Sequence, residues 1–370
     1  MALYKTLVKK VSISPEKKTK QKDYLPKGQL PIIDQGQQLI GGYADNLELQ
    51  LSCNLPVIVF GDHTRAVKYV DFPFGAGADG IKVLEPTEGI YPKFLYYATQ
   101  YLVLRLEDRG YARHYQYIEK KELDIPPVPE QKRIVARIEE LFSELDNGVE
   151  TLRKTKQQLA VYRQSVLNDA FAVCSERKSV GSVCTHVTDG DHMPPPKAAS
   201  GVPFVMISNI DGNRIDFSET AFVGREYYEK IDSKRRPQIG DVLYTVTGSF
   251  GIPVLIDYGK EFCFQRHIAL LRPNDSILSE YLYYAMQAPI VYAQATKGAT
   301  GTAQKTVGLT VLRKILIPYT ASKMEQARIV RDVESKMSVC DSIEKTVDTA
   351  LQQAEAMRQS ILKKAFDGKL

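Results

Sequence analysis

Cysteine is scarce in this chain of 370 residues. The five that occur (Cys53, Cys174, Cys184, Cys263 and Cys340) are scattered, odd in number, and form no CxxC pair. That spacing disfavours a structural zinc site and fits reduced thiols. No apolar run reaches the roughly 20 residues that cross a bilayer. The N-terminus lacks the apolar core of a secretory signal. The expectation is a cytoplasmic chain with no membrane partner. Proline is absent from two long stretches, 130–172 and 325–370, and only Gly148 interrupts the first.

An excess of one charge sign is also nearly lacking. The net charge is +5, and its placement is more telling than its size. Residues 1–129 carry 17 basic and 15 acidic groups, and residues 173–324 carry 17 and 14. The stretches 130–172 and 325–370 balance at 7/7 and 8/8. Mildly basic globules suit a polyanion, whereas balanced stretches suit protein contacts.

What is present, above all, is a repeat. Shifting the sequence by 195 residues lays Glu130–Phe171 on Glu325–Phe366 without a gap, with 17 of 42 positions identical. A repeat this long governs the architecture. Apolar residues recur every seven positions at Ile138, Leu145, Leu152, Leu159 and Val166. The second copy places Val333, Cys340, Val347, Ala354 and Ile361 at the same sites. A second seam follows Leu141, Phe142, Val149 and Tyr162, answered by Met337, Ile343, Ala350 and Met357. Five heptads with apolar seams predict coiled-coil helices, each a rod of roughly 60 Å. One greasy stripe does not stay bare in water, and the other copy in the chain is its natural partner. Two bundle helices in separate domains are the alternative.

The segments ahead of the rods are rich in short strand-like runs. In the first these are 30–33, 57–60, 67–70 and 81–84, followed by a helix over 91–104 that opens at Pro92. In the second they are 202–207, 242–246, 254–256 and 268–271, followed by a helix over 279–295. LYYATQ at 95–100 matches LYYAMQ at 282–287. Leu123–Ile125 ends in Pro126, Pro127 and Pro129, and Ile315–Ile317 ends in Pro318, each a break before a rod. The order is globule, rod, globule, rod: 1–129, 130–172, 173–324 and 325–370.

Motifs for resident chemistry fall short. Phe74-Gly75-Ala76-Gly77-Ala78-Asp79-Gly80 faintly resembles a cofactor-binding loop, but a strand rather than a helix follows, so a tight turn is the reading. Gly298–Thr306 lacks the Gly that precedes Lys in a phosphate loop: Gln304 precedes Lys305. Ser249 lacks the GxSxG setting of a hydrolase nucleophile. Asp62-His63 and Asp191-His192 read first as Asp-stabilised turns and second as DNA contacts. The Lys-rich run from Lys5 to Lys27 reads as a solvated edge or mobile loop, with a phosphate-facing arm as the alternative. Arg and Gln can read guanine and adenine in the major groove, while Lys and Thr serve phosphates. The candidate DNA contacts are His63, Arg65, Arg109, Arg113 and Tyr115 in the first globule. In the second they are His192, Lys197, Arg235, Arg236, Ser249, Lys297, Thr300 and Lys305.

Three features together carry a resemblance: the doubled EQ(K/A)RIV…RQS(V/I)L…AF rods, the Ile-Pro break before each, and the strand-rich segments. With IDQGQ (33–37), FGDHT (60–64), IGDVLYTVTGSFG (239–251) and QRHIALLRP (265–273), the whole chain resembles the DNA specificity subunit of type I restriction-modification systems. The resemblance implies an α+β fold in which two target recognition domains are joined by two long antiparallel helices. These would form an intramolecular coiled coil with a pseudo-twofold axis. It implies binding to a bipartite double-stranded site and docking of two methyltransferase subunits and of restriction subunits. It also implies no catalytic residue and no cofactor in this chain, with S-adenosylmethionine, ATP and Mg on the partner subunits. A protein-only coiled-coil adaptor, and a nuclease or methyltransferase with an unrecognised site, are the alternatives.

Overall fold

The computed structural model describes residues 1–370 other than 79, 108, 109, 111 and 303. The chain divides into two compact units. The first comprises Met1–Arg153 with Asp348–Leu370, and the second Lys154–Val347.

In the first unit, β1 (Val8–Val11), β5 (Val57–Gly61), β6 (Val67–Val70) and β8 (Ile81–Pro86) form an antiparallel sheet in the order β1-β8-β5-β6. A mixed sheet, β2-β7-β3-β4, is built from β2 (Lys18–Thr19), β3 (Leu30–Ile33), β4 (Gly42–Ala44) and β7 (Gly75–Gly77). The unbroken apolar run of β5 is explained by its two covered faces. Alternation sends Ile58 and Phe60 into the core shared with α1 (Pro92–Leu104). Val57 and Val59 enter a second core with Ile33, Phe74 and Ala76. Pro92 starts α1, where a missing N–H costs nothing. Leu95, Ala98 and Leu102 then face the β5 sheet, while Phe94 and Tyr97 pack on the long helices.

The glycine-rich stretch expected as a tight turn is partly a strand. β7 pairs in parallel with both β2 and β3. A Cβ on Gly75 would lie 2.7 Å from Ile32 Cδ1, and one on Gly77 would lie 2.6 Å from Asp34 Cβ. At Gly77 glycine is needed for close approach of the neighbouring chain rather than for a bend, whereas at Gly75 the flexible tips of Ile32 and Leu30 would have to give way. Asp79, in the same stretch, lies outside the described residues.

The second unit repeats the plan. Its antiparallel sheet runs β9-β15-β12-β13, from β9 (Cys184–Asp189), β12 (Val242–Thr245), β13 (Pro253–Leu255) and β15 (Ile268–Pro273). The companion sheet places β10 (Val202–Val205) between β11 (Ala221–Val223) and β14 (Cys263–Phe264). Val242 and Tyr244 enter one core and Leu243 the other, as in β5. The helix expected over 279–295 is two helices, α3 (Ser279–Gln287) and α4 (Pro289–Gly298). Pro289 has no N–H to continue α3, and Ala288 before it is extended at φ −60°, ψ 138°.

The long helices are α2 (Val128–Ala172) and α5 (Lys323–Phe366). Pro129 sits in the first turn of α2 rather than before it. They pack antiparallel in each unit. In the first, Val135, Ile138 and Phe142 share a core with Ile361, Leu362 and Ala365. Arg358 there binds Asp146 and stacks 4.3 Å above the Phe142 ring. In the second, Val166, Leu167 and Phe171 share a core with Ile329, Val330 and Val333. Arg163 binds Asp341 at 2.7 Å and Glu344 at 3.0 Å, and Lys156 meets Glu344 further back along α2. The numbering falls on one helix as it rises on the other. Arg163–Asp341 and Arg358–Asp146 are, moreover, the same pair made twice by repeat-equivalent residues.

Of the first seam, Ile138, Leu159, Val166, Val333, Cys340, Val347, Ala354 and Ile361 are buried, and Leu145 and Leu152 half-buried. The second seam is not continuous. Phe142 is buried, but Tyr162, Ile343 and Met357 are exposed. A two-helix pairing closes only one facing stripe, and the globules cover the second stripe only where α1 or α3 lies against it.

Candidate nucleic-acid interface

The second unit carries a cleft of about 350 Å³ at the corner where β9 ends and β15 begins. Asp189 lines it from the last position of β9 and His192 from the turn that follows, Arg266 and His267 from the approach to β15, Thr247 from just beyond β12, and Gln304 and Thr306 from the loop after α4. That loop is held by a bridge, Thr300 and Thr306 exchanging backbone bonds of 2.9 and 2.8 Å. It docks on the β12 turn through Gly248 N donating to Lys305 O at 2.9 Å. The cleft mixes polar groups with the apolar side chains of Val246, Val307 and Leu309, and its one carboxylate, Asp189, is engaged by His192 Nε2 at 3.0 Å.

The turn beyond β9 is tightly built. Gly190 is required, since a Cβ there would lie 2.0 Å from Phe264 O. Asp191 accepts from the Tyr227 hydroxyl at 2.9 Å and pairs with Arg235 at 3.3 Å. Burial, then the Asp191 carboxylate, push the Tyr227 phenol up to about 12.

The first unit has a cleft of about 250 Å³ that also lies where the first strand of the main sheet, β1, ends and the last, β8, begins, but it is walled by β2 and β7 of the companion sheet. Lys10, Lys18 and Lys82 line it beside the backbone of Gly77 and Gly80. Lys10 also reaches Glu119 at 2.9 Å, and Lys82 lies 3.6 Å from the buried Asp62. The basic N-terminal run is a solvated edge: β1 and β2 hold Val8–Val11 and Lys18–Thr19, Lys9 and Lys10 have acidic partners, and Lys5, Lys20, Lys22 and Lys27 are exposed.

The sequence candidates divide. His192 and the neighbours of Lys305 come together at the second cleft. Ser249, Thr300 and Lys305 are exposed around it, and Lys197 and Lys297 are exposed on adjoining segments. Arg235 and Arg236 are not presented to a ligand. Arg235 donates to Asp189 O and Gly190 O. Arg236 donates to Ile231 O and Glu229 O and stacks over Tyr228. In the first unit Arg113 is exposed, whereas Tyr115 is buried against Phe60 with ring centroids 5.9 Å apart. Burial raises its phenol above the ordinary value. His63 and Arg65 are half-buried in the turn after β5, Arg65 in the left-handed region at φ 62°. Arg109 lies outside the described residues. Asp62 acts as an Asp-stabilised anchor: its Oδ1 accepts from Tyr115 N at 2.9 Å, and its carbonyl accepts from His114 N at 2.8 Å. Arg266 and His267 were not among the candidates. The one signal for them was their place in QRHIALLRP, directly before a strand.

Among the described residues no group of three or more His, Cys, Asp or Glu is arranged to hold a metal ion, and no helix is long and apolar enough to cross a membrane.

Residues 10–159 and 178–353 match the model of the type I restriction modification DNA specificity domain, and the chain belongs to that family. It is similar to the type I restriction enzyme EcoKI specificity subunit of Escherichia coli K12, at 28% identity over 277 residues, 67% of this chain and 57% of that one. The Escherichia coli EcoBI specificity subunit is 24% identical over 278 residues, 67% of this chain and 58% of the relative. The matched stretch thus spans little more than half of either relative. Among solved structures, a chain from a study of complex assembly and conformational transition of the type I R-M system aligns with a TM-score of 0.71 at 16% identity, over 100% of this chain and 97% of that one. The HsdS subunit of Thermoanaerobacter tengcongensis aligns at 0.52 and 18% identity, over 100% and 96%. These two likenesses establish the fold.

Proposed function

We propose that this chain is the DNA sequence-specificity subunit of a type I restriction-modification enzyme. Each unit reads one half of a bipartite double-stranded site. The observation that supports the reading is the repeated plan of the two units, each of which opens a cleft where the first strand of the main sheet ends and the last begins. The two clefts differ in side chains, so the half-sites differ in sequence. The exposed apolar residues Val161, Tyr162 and Val339 on the long helices favour protein partners there, which in this reading are two methyltransferase subunits and, through them, restriction subunits. The chain supplies recognition and no catalytic group. S-adenosylmethionine, ATP and Mg act on the partner subunits, in the cytoplasm.

The test is to sequence methylated positions in cells carrying the partner subunits, with and without this chain. A split motif that appears only with the chain supports the reading. Methylation by the purified chain alone would instead make it an enzyme. Gel-shift binding that random duplex competes away completely would make it a protein-only adaptor.

A further inference from the structure

The arginines of the second unit are mostly spent inside the protein. Arg225 is paired to Glu261 at 2.6 Å and Arg272 to Asp241 at 2.8 Å. Arg235 and Arg236 hold backbone carbonyls, and Arg313 donates to Val187 O. Arg266 is different. It is exposed on the wall of the cleft. The two carboxylates beside it are already engaged, Asp189 by His192 and Asp191 by Arg235 and Tyr227. No hydrogen bond or ion pair of its guanidinium is found among the described residues.

Its backbone, by contrast, is clamped from three sides. Gln265 N donates to Val205 O at 3.0 Å, Arg266 N to Asp191 O at 3.0 Å, and Val246 N to His267 O at 2.9 Å. The Cβ-free Gly190 lets the Asp191 turn approach closely enough to make the second of these. A rigid base carrying an unengaged planar fork of donors is what readout of a base edge requires. In the major groove guanine offers two acceptors, O6 and N7, matched to that fork, and the guanidinium stays charged at any working pH. A lysine, as in the first-unit cleft, presents a point charge instead.

Resting on the reading that this unit binds duplex DNA, we propose that Arg266 reads a guanine in the half-site held by the second unit, donating two parallel hydrogen bonds to O6 and N7. The experiment selects a randomised duplex library on the full chain in complex with its methyltransferase subunits, for wild type, Arg266→Ala and Arg266→Lys. Both variants are expected to lose preference for guanine at one position of one half-site, by about fivefold to hundredfold. The other half-site and the gap stay unchanged. Arg266→Lys keeps near-wild-type affinity for random duplex, because the charge remains. An unchanged motif in Arg266→Ala overturns the proposal. So does a uniform loss for all duplexes that Arg266→Lys restores, which marks a phosphate contact. A wild-type complex that selects no motif overturns the DNA reading itself, a distinguishable result. Thermal melts of the variants that match wild type confirm that the exposed substitution leaves the fold intact.

Discussion

Gln131 and Gln326, 195 positions apart, make the same three hydrogen bonds. Gln131 Oε1 accepts from Tyr91 N at 2.7 Å, and its Nε2 donates to Gly89 O and Pro126 O, both at 2.9 Å. Gln326 Oε1 accepts from Leu278 N at 2.8 Å, and its Nε2 donates to Ser276 O at 3.0 Å and Thr320 O at 2.8 Å. Both are fully buried. Each ties the start of a long helix to the loop before the globule's own helix and to the segment that leads into the long helix. The repeat is therefore one of working parts, since each copy fixes its helix to its globule by the same side chain.

Removing that side chain takes the partner from three backbone groups, those of the half-buried Tyr91 and Pro126 and of the exposed Gly89. Gln131→Ala is expected to destabilise the first unit by about 1–3 kcal/mol. Hydrogen exchange reads this locally: the Tyr91 amide should speed up while the Leu278 amide keeps its wild-type rate. Equal acceleration of both would mean that the clasp is not local.

Gly148 lies within α2, and nothing comes within 4 Å of a Cβ built on it. It carries the backbone entropy cost of glycine with no packing return. Gly148→Ala should stabilise the first unit by about 0.5–1 kcal/mol, measured as a rise in denaturation midpoint at constant slope. Destabilisation would reveal a partner at this face of the helix.

Burial, then the nearby Asp241 and Asp191 carboxylates, push the Cys184 and Cys263 thiols up to about 12. An unfolded thiol ionises near pH 8.5, at about that value. Their stabilising effect is therefore complete below roughly pH 8.5 and is lost as pH rises from there towards 12. The denaturation midpoint should fall between pH 8 and pH 10. At pH 8 a maleimide should label the half-buried Cys53 first and reach Cys184 and Cys263 only after unfolding. Rapid native labelling of Cys184 would contradict this placement.

Arg113→Ala and Lys305→Ala alter exposed cations in different units. In the complex with methyltransferase subunits they should damage different halves of the selected site. Affinity should fall steeply with salt in each case, because phosphate contacts release counterions. Equal loss on every duplex would mark both as phosphate contacts only.

Much of this architecture is legible in the sequence, because period and repetition report on backbone and burial. The heptad positions Ile138, Val333 and Cys340 are buried. The runs 57–60 and 268–271 are strands. Tyr162 and Met357 misled because a heptad pattern does not say how many partners a helix has. Pro289 was passed over inside an apolar stretch, although its missing N–H ends one helix and begins another. Site residues are less legible still. Residue type cannot distinguish Arg235, consumed by backbone carbonyls, from Arg266, whose acidic neighbours are already engaged. Only tertiary structure decides which cation is left over. Tyr115 fails for the same reason: an aromatic beside basic residues reads like a nucleic-acid contact, but its ring fills the core.

If the two units each read a half-site, as proposed, lengthening both long helices should lengthen the gap between the half-sites. Inserting one heptad at repeat-matched positions, after Leu152 and after Val347, adds roughly 10 Å of helix at 1.5 Å per residue and preserves the seam. Both insertions fall at the boundary between the compact units. Sequencing the positions methylated by the enlarged complex should recover both half-sites unchanged, with a gap longer by about three base pairs at 3.4 Å each. Recovery of the original gap, or loss of one half-site while the other persists, would contradict the claim.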